Sequence, residues 1–229
     1  KRLALRQLLR ALFGQYAIDT VIDVGANRGQ FAKFLRYEVG FKGRLVSFEP
    51  NPMLYSDLSR ISRHDASWQV LPFALARESG SMSFNLMARS ELSSLLVPDS
   101  RFSDACQDAN RVETVITVDA RTLDDVLGSE LRGIHPESTY LKLDTQGYDL
   151  HVLEGASRYL NTARALQTEL SFVPLYHGSS DWLSVQAYLS KRDFHLAGVF
   201  PVTREENLRM IEADGVFVRV NDADSAVAR

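Results

Sequence analysis

The stretch "VIDVGANRGQF", residues 21–31, restricts the fold of this chain more than any other. Val21, Ile22 and Val24 favour a strand, whereas Gly25 and Gly29 suit neither a strand interior nor the first turn of a helix. Phe31, Phe34 and Leu35 then recur at helical spacing. A buried strand, a tight glycine turn and a helix accommodate all three observations. In that arrangement the backbone N–H groups beyond the turn face whatever sits at the helix N-terminus. The stretch reads as a ligand-binding turn.

Other apolar, β-branched runs repeat the theme. Strands are expected at 20–25, 44–50, 68–75, 139–144, 165–172, 194–200 and 215–220. Helical patterns separate most of them, at 29–40, 52–62, 150–160 and 181–193. Such alternation predicts an α/β fold, a largely parallel sheet with helices on both faces. Residues 80–127 interrupt it. "SMSFNL" and "ETVITVDARTLDDV" read as two extra strands and a short helix around a long polar loop, 88–111, so a β-rich insertion is expected there. No repeat and no Pro/Gly/Ser linker divides the chain. One domain over 18–220 is expected, with an amphipathic helix before it at 1–17 and a polar tail after it at 221–229.

Composition narrows the function classes. A net charge of −3 lacks the basic footprint of a nucleic-acid binder. Cys106 is the single cysteine, which leaves no intramolecular disulfide and no cysteine-based zinc site. A reducing, cytoplasmic setting is expected from this. No apolar run reaches the roughly 18 residues of a membrane span, and no signal-peptide pattern is present. The chain begins at Lys1 rather than Met, which leaves room for a preceding segment. "KRLALRQLLRALFG", residues 1–14, allows two readings. It is either a peripheral contact with the inner face of a membrane, or a helix that docks its leucines and leaves its arginines in water. Its shortness favours docking.

The glycine turn departs from the dinucleotide fingerprint G-x-G-x-x-G, because Asn27 and Gln30 replace two of its glycines. The spacing is D-x-G-x-N-x-G, from Asp23, Gly25, Asn27 and Gly29. It lacks the glycine that lets backbone approach a pyrophosphate. The second strand ends in "FEPNP", which sets Glu49 at its tip, where a carboxylate can accept both hydroxyls of a ribose. A nucleoside without a pyrophosphate points to S-adenosylmethionine, with S-adenosylhomocysteine as product. Asp23 or its neighbours would meet the ligand's ammonium group, and the backbone near Gly25 its amino-acid part. Phe73 and Ala74, after the third strand, are candidates for the adenine wall, with a place in the core as the equal reading for Phe73.

"VIDVGANRGQFAKFL", "GRLVSFEPNP", "LPFALARESG", "SSLL", "YLKLDTQGYDLHVLEGA" and "LQTELSFVPLY" occur in the order seen in the FkbM-type family of S-adenosylmethionine-dependent methyltransferases. The chain resembles that family over roughly residues 18 to 220. The resemblance implies a Rossmann-like seven-stranded methyltransferase sheet and O-methylation, often of sugar or polyketide hydroxyls. The branch with "DTQGYD" and "ELSFVPLYHG" implies a glycan or glycolipid context. It leaves the acceptor open.

Methyl transfer to a hydroxyl requires alignment, removal of a proton from a poorly acidic alcohol, and exclusion of water. Asp144 ends the strand "YLKLD" and is a candidate base, acceptor ligand and donor contact; Gln146 follows it. Capping of the next helix is the competing reading for Asp144, though Asp149 fits a plain cap better. Glu169, inside an apolar strand, could hold a hydroxyl, orient His177 or be a satisfied structural acid; His177 lies in the loop beyond and is the other candidate base. Ser93 and Ser94 form part of a polar loop, and the resemblance implies that they close over donor or acceptor. Asp214 and Gly215 read first as a hairpin turn, with a role at the acceptor mouth as the second reading. His64, His135, His151 and His195 are scattered and carry no assigned role. Asp144, Glu169 and His177 could together hold a divalent ion, but no compact ligand motif is present and none is expected.

The sequence thus predicts a methyltransferase acting on a hydroxyl of a sugar, glycolipid or polysaccharide precursor, with no nucleic-acid partner. The rivals are a polyketide or other small-molecule acceptor, a donor-binding protein without turnover and, more distantly, a nicotinamide oxidoreductase.

Overall fold

Two strands end where an apolar run meets a glycine or proline, at Gly25 and at Pro72. In the computed structural model, which describes residues 2–99 and 111–220, α1 (Arg2–Gln15) precedes β1 (Thr20–Val24), α2 (Gln30–Phe34), β2 (Arg44–Phe48), α3 (Pro52–Ser62) and β3 (Trp68–Leu71). A second group follows: β4 (Ala74–Leu75), β5 (Gly80–Met87), β6 (Val112–Arg121) and α4 (Leu123–Gly128). The last comprises β7 (Thr139–Leu143), α5 (Asp149–Glu154), β8 (Ala165–Ser171), α6 (Trp182–Ser190), β9 (Phe194–Arg204) and β10 (Met210–Arg219). The tail at 221–229, the residues 100–110 of the polar loop and Cys106 lie outside the described residues.

Seven strands form one sheet in the order β3-β2-β1-β7-β8-β10-β9. The pairs from β3 through β8 are parallel, and β10 runs antiparallel to both neighbours. Strands β1, β7 and β8 are buried along their whole length, as parallel strands covered on both faces must be. Alternate residues enter opposite cores. Ile22 and Val24 of β1 join the core under α4, α5 and α6, whereas Val21 joins the one under α1, α2 and α3. Helix α1 docks through Leu5, Leu9, Leu12 and Phe13, all buried, and Arg10 donates to the carbonyls of Val39 and Glu38. Its leucine face is used within the fold.

The β-rich insertion is a small sheet, β4-β6-β5, closed by the antiparallel β5–β6 pair. The single strand expected at 68–75 is two: Pro72 has no N–H for a ladder, and beyond it β4 leaves the main sheet to pair with β6. The helix expected at 150–160 stops at its C-cap Gly155, a poor helix former, and one 3-10 turn follows at Tyr159–Asn161. The expected turn at Asp214–Gly215 is also corrected. Both residues sit inside β10, opposite Glu169 and Thr168, and the chain reverses near Glu205–Leu208 instead. Glycine at 215 leaves room for packing: a Cβ there would lie 2.6 Å from Leu170 Cδ1.

Candidate active site

The sheet order reverses direction at β1 and β7, since the chain builds outward through β2 and β3 on one side and through β8 on the other. Crevices beyond the carboxyl ends of strands at such a switch point are where open α/β sheets bind ligands. Both tips converge here. Gly25, at φ +77°, turns the chain off β1, and a Cβ on it would lie 2.0 Å from the Asp144 carbonyl oxygen at the end of β7. No other residue fits that contact. The Gly25 and Ala26 N–H groups both donate to the Phe48 carbonyl, at 3.2 and 3.0 Å, which folds the turn over the end of β2. Asn27 also has a left-handed backbone, φ 47°, and Gly29, φ +73°, leads into α2.

Glu49 follows β2 directly and is 4% exposed. Pro50 ends the ladder, and Asn51 caps α3 by accepting from the Met53 N–H at 3.0 Å. The Asn27 N–H donates to Glu49 Oε2 at 2.7 Å and the Asn51 N–H to Oε1 at 2.9 Å. Glu49 therefore locks the glycine turn to the tip of β2. Burial lifts its carboxyl to about 7, against the pull of these two N–H donors.

At the end of β7 three charges meet. Lys142 stands opposite Asp23 across the β1–β7 pair, and its ammonium lies 3.2 Å from Asp23 Oδ1 and 3.3 Å from Asp144 Oδ2. Asp23 is wholly buried. Burial raises the Asp23 carboxyl and works to lower the Lys142 ammonium. Two carboxylates on one ammonium decide the outcome for Lys142, which stays above its ordinary value. Gln146, also left-handed at φ 54°, donates from Nε2 to Asp144 Oδ1 at 3.0 Å and to Glu169 Oε2 at 3.1 Å. Burial, with the charges of Asp144 and Glu212, pushes the Glu169 carboxyl well up. The Tyr176 hydroxyl donates to the Leu92 carbonyl at 2.8 Å and lies 3.2 Å from Gln146 Oε1.

These tips enclose a cavity of about 400 Å³. Of the residues singled out in the sequence as site or turn residues, Gly25, Asn27, Glu49, Phe73, Ala74, Ser93, Asp144, Gln146 and Asp214 line it. Asp23, Gly29, Ser94, Glu169 and His177 do not. Asp23 faces Lys142 rather than the cavity. Gly29 packs near Leu58 and Trp68, and Ser94 is buried with its hydroxyl donating to the Gln146 carbonyl at 2.9 Å. Glu169 stands behind Gln146. The His177 side chain is 60% exposed and pairs with Asp99 at 3.9 Å. Asp149, expected as a plain cap, is buried and binds Thr145 and Thr168, tying the β7 tip to β8. Among the described residues no group of three or more His, Cys, Asp or Glu is arranged to hold a metal ion, and no helix is long and apolar enough to cross a membrane.

Residues 23–196, from the buried Asp23 to the start of β9, match the family described as the Methyltransferase FkbM domain. The chain belongs to the FkbM methyltransferase family. One curated relative is the hexuronic acid methyltransferase AglP of Haloferax volcanii, 28% identical over 170 residues, which is 72% of this chain and 62% of that protein. Among solved structures, the FkbM methyltransferase of Methylobacillus flagellatus KT superposes with a TM-score of 0.55 at 17% identity, over 88% of this chain and 43% of that one. The chain thus spans less than two thirds of the length of either, and the structural likeness shows the shared fold.

Some lining residues of this FkbM-family site escaped the sequence reading. Lys142 is one; its signal is a cation inside the otherwise apolar run "YLKLD", which only a buried partner explains. Arg2 and Leu5 of α1 also reach the cavity, and no local pattern reveals that.

Proposed function

We propose that this protein is an S-adenosylmethionine-dependent O-methyltransferase acting on a hydroxyl of a sugar-containing acceptor. One observation carries the reading: a carboxylate, Glu49, is fixed beside a glycine turn at the switch point, in the same cavity as Asp144. The residues present fit the donor. Glu49 has lone pairs left for two ribose hydroxyls after its two backbone contacts. The buried Phe73, with Ala74 beside it, offers an apolar wall for adenine. The volume falls within the roughly 300–1,000 Å³ usual for such sites.

When bound, the donor supplies a methyl group on a sulfonium that departs as a neutral thioether. The chain's own residues must then hold the acceptor hydroxyl in line and take its proton. Asp144 is the favoured group in this reading. Its side chain is 40% exposed, it lines the cavity, and Lys142 and Gln146 hold its two oxygens from opposite sides. His177 is the weaker candidate because it lies outside the lining. Asp23 acts in this account through Lys142. A sugar acceptor is supported by the hydrogen-bonding groups of Ser90, Glu91, Ser93 and Gln146 in the same lining, and by the hexuronic acid named for the Haloferax relative. The same lining also carries Phe31, Phe34, Phe48, Phe73 and Phe84, apolar rings on which a polyketide acceptor would pack.

The test is methyl transfer from isotopically labelled donor into a panel of glycans and glycolipids. Label incorporation that falls by about two orders of magnitude or more in Asp144→Asn supports Asp144 as base. Unchanged incorporation in that variant, together with loss in His177→Ala, would reverse the assignment. Transfer to polyketide hydroxyls alone would replace the sugar reading.

A further inference from the structure

We infer that Arg2, at the start of α1, binds the carboxylate of the donor's amino-acid moiety; the inference rests on the adenosyl-donor reading above. A ligand carrying an α-carboxylate loses hydration on entering a cavity and needs a cation to offset that loss. Among the described residues the lining is poor in cations: it presents four acidic side chains, Glu49, Glu91, Asp144 and Asp214, and two basic ones, Arg2 and Lys142. Lys142 is already committed, with its side chain 7% exposed and its ammonium held between Asp23 and Asp144. A third carboxylate there would add repulsion from both.

Arg2 is placed differently. Its guanidinium lies over the Phe34 ring, 5.3 Å from the centroid, and Phe34 lines the same cavity. Its ion-pair partner is Glu38, with the two side chains 66% and 34% exposed. A pair so open to water is weak and readily gives way to a better-placed anion. Leu5, almost one turn further along α1, is 6% exposed and lines the cavity too, which pins the helix with Arg2 at the wall. The planar guanidinium offers two parallel N–H groups that match a carboxylate. The first helix then contributes to the binding site as well as to the core.

The test is calorimetric titration of the wild type, Arg2→Gln and Arg2→Lys with S-adenosylhomocysteine and with 5′-methylthioadenosine. The second ligand keeps the nucleoside and sulfur but lacks the amino-acid group. Arg2→Gln is expected to weaken S-adenosylhomocysteine by about five- to tenfold and 5′-methylthioadenosine by less than about twofold, with Arg2→Lys in between. Unchanged S-adenosylhomocysteine affinity in Arg2→Gln, or equal weakening of both ligands, overturns the role of Arg2 while leaving the donor site intact. Failure of the folded wild type to bind either ligand overturns the donor reading itself, and this inference with it.

Discussion

Glu49 joins the glycine turn to the tip of β2 through one buried carboxyl. Its carboxyl titrates near 4.5 when unfolded and near 7 when folded, because burial disfavours its charge. Between those values the folded protein holds the extra proton, so stability falls as pH rises from about 4.5 through about 7. Burial, and after it the charge of Asp144, also raises Glu212 to about 7, which acts in the same direction. The melting temperature of the free protein is expected to drop between pH 5 and pH 8, and Glu49→Gln should flatten part of that slope. A melting temperature that rises over the same range would contradict the assignment. In the proposed donor site Glu49 must be ionised to accept two hydroxyls, so adenosyl-ligand affinity should increase as pH rises through about 7. The Asp23–Lys142 pair predicts something else. Lys142→Met leaves a wholly buried carboxylate unpaired and should cost about 3–5 kcal/mol. The double variant Asp23→Asn, Lys142→Met should recover most of that loss in a denaturant titration.

At the scale of elements, the strand tips depend on backbone that admits no substitute. Gly25→Ala forces a side chain into the left-handed region and against the Asp144 carbonyl. It is expected to destabilise the protein by about 2–4 kcal/mol and to displace the turn from Glu49. The docking of α1 is testable by Leu9→Ala, at a fully buried position, with an expected cost of about 2–5 kcal/mol from chemical denaturation. Much of this level was legible in the sequence. The runs around Ile22, Val46, Leu141 and Leu166 are centred on β-branched or apolar residues, and each became a parallel strand. Pro72 carried its signal openly, yet an unbroken apolar run masked the change of sheet. Asp214–Gly215 looked like a turn because local chemistry favours one, whereas the packing of Leu170 against Gly215 requires a partner 45 residues away in the chain.

At the scale of the whole molecule, the switch point between β1 and β7 explains why residues far apart in sequence share one cavity. Glycine turn, Glu49 and Asp144 were each readable as strand tips, and the sheet order brings them together. Lys142 and Arg2 were not readable in this way, since their importance lies in which charges the fold sets beside them. His177 shows the converse: a chemically suitable residue in a suitable loop, whose largely exposed side chain lies outside the lining. The central claim is that the turn after β1 and the acid after β2 form an adenosyl-donor site. Calorimetric titration at pH 8 of the wild type and Glu49→Gln with S-adenosylmethionine and NAD⁺ tests it most directly. The account predicts S-adenosylmethionine binding to the wild type, at least about tenfold weaker binding to Glu49→Gln, and no preference for NAD⁺. A folded wild type that ignores S-adenosylmethionine, prefers NAD⁺, or binds the donor equally well without the Glu49 charge would contradict it.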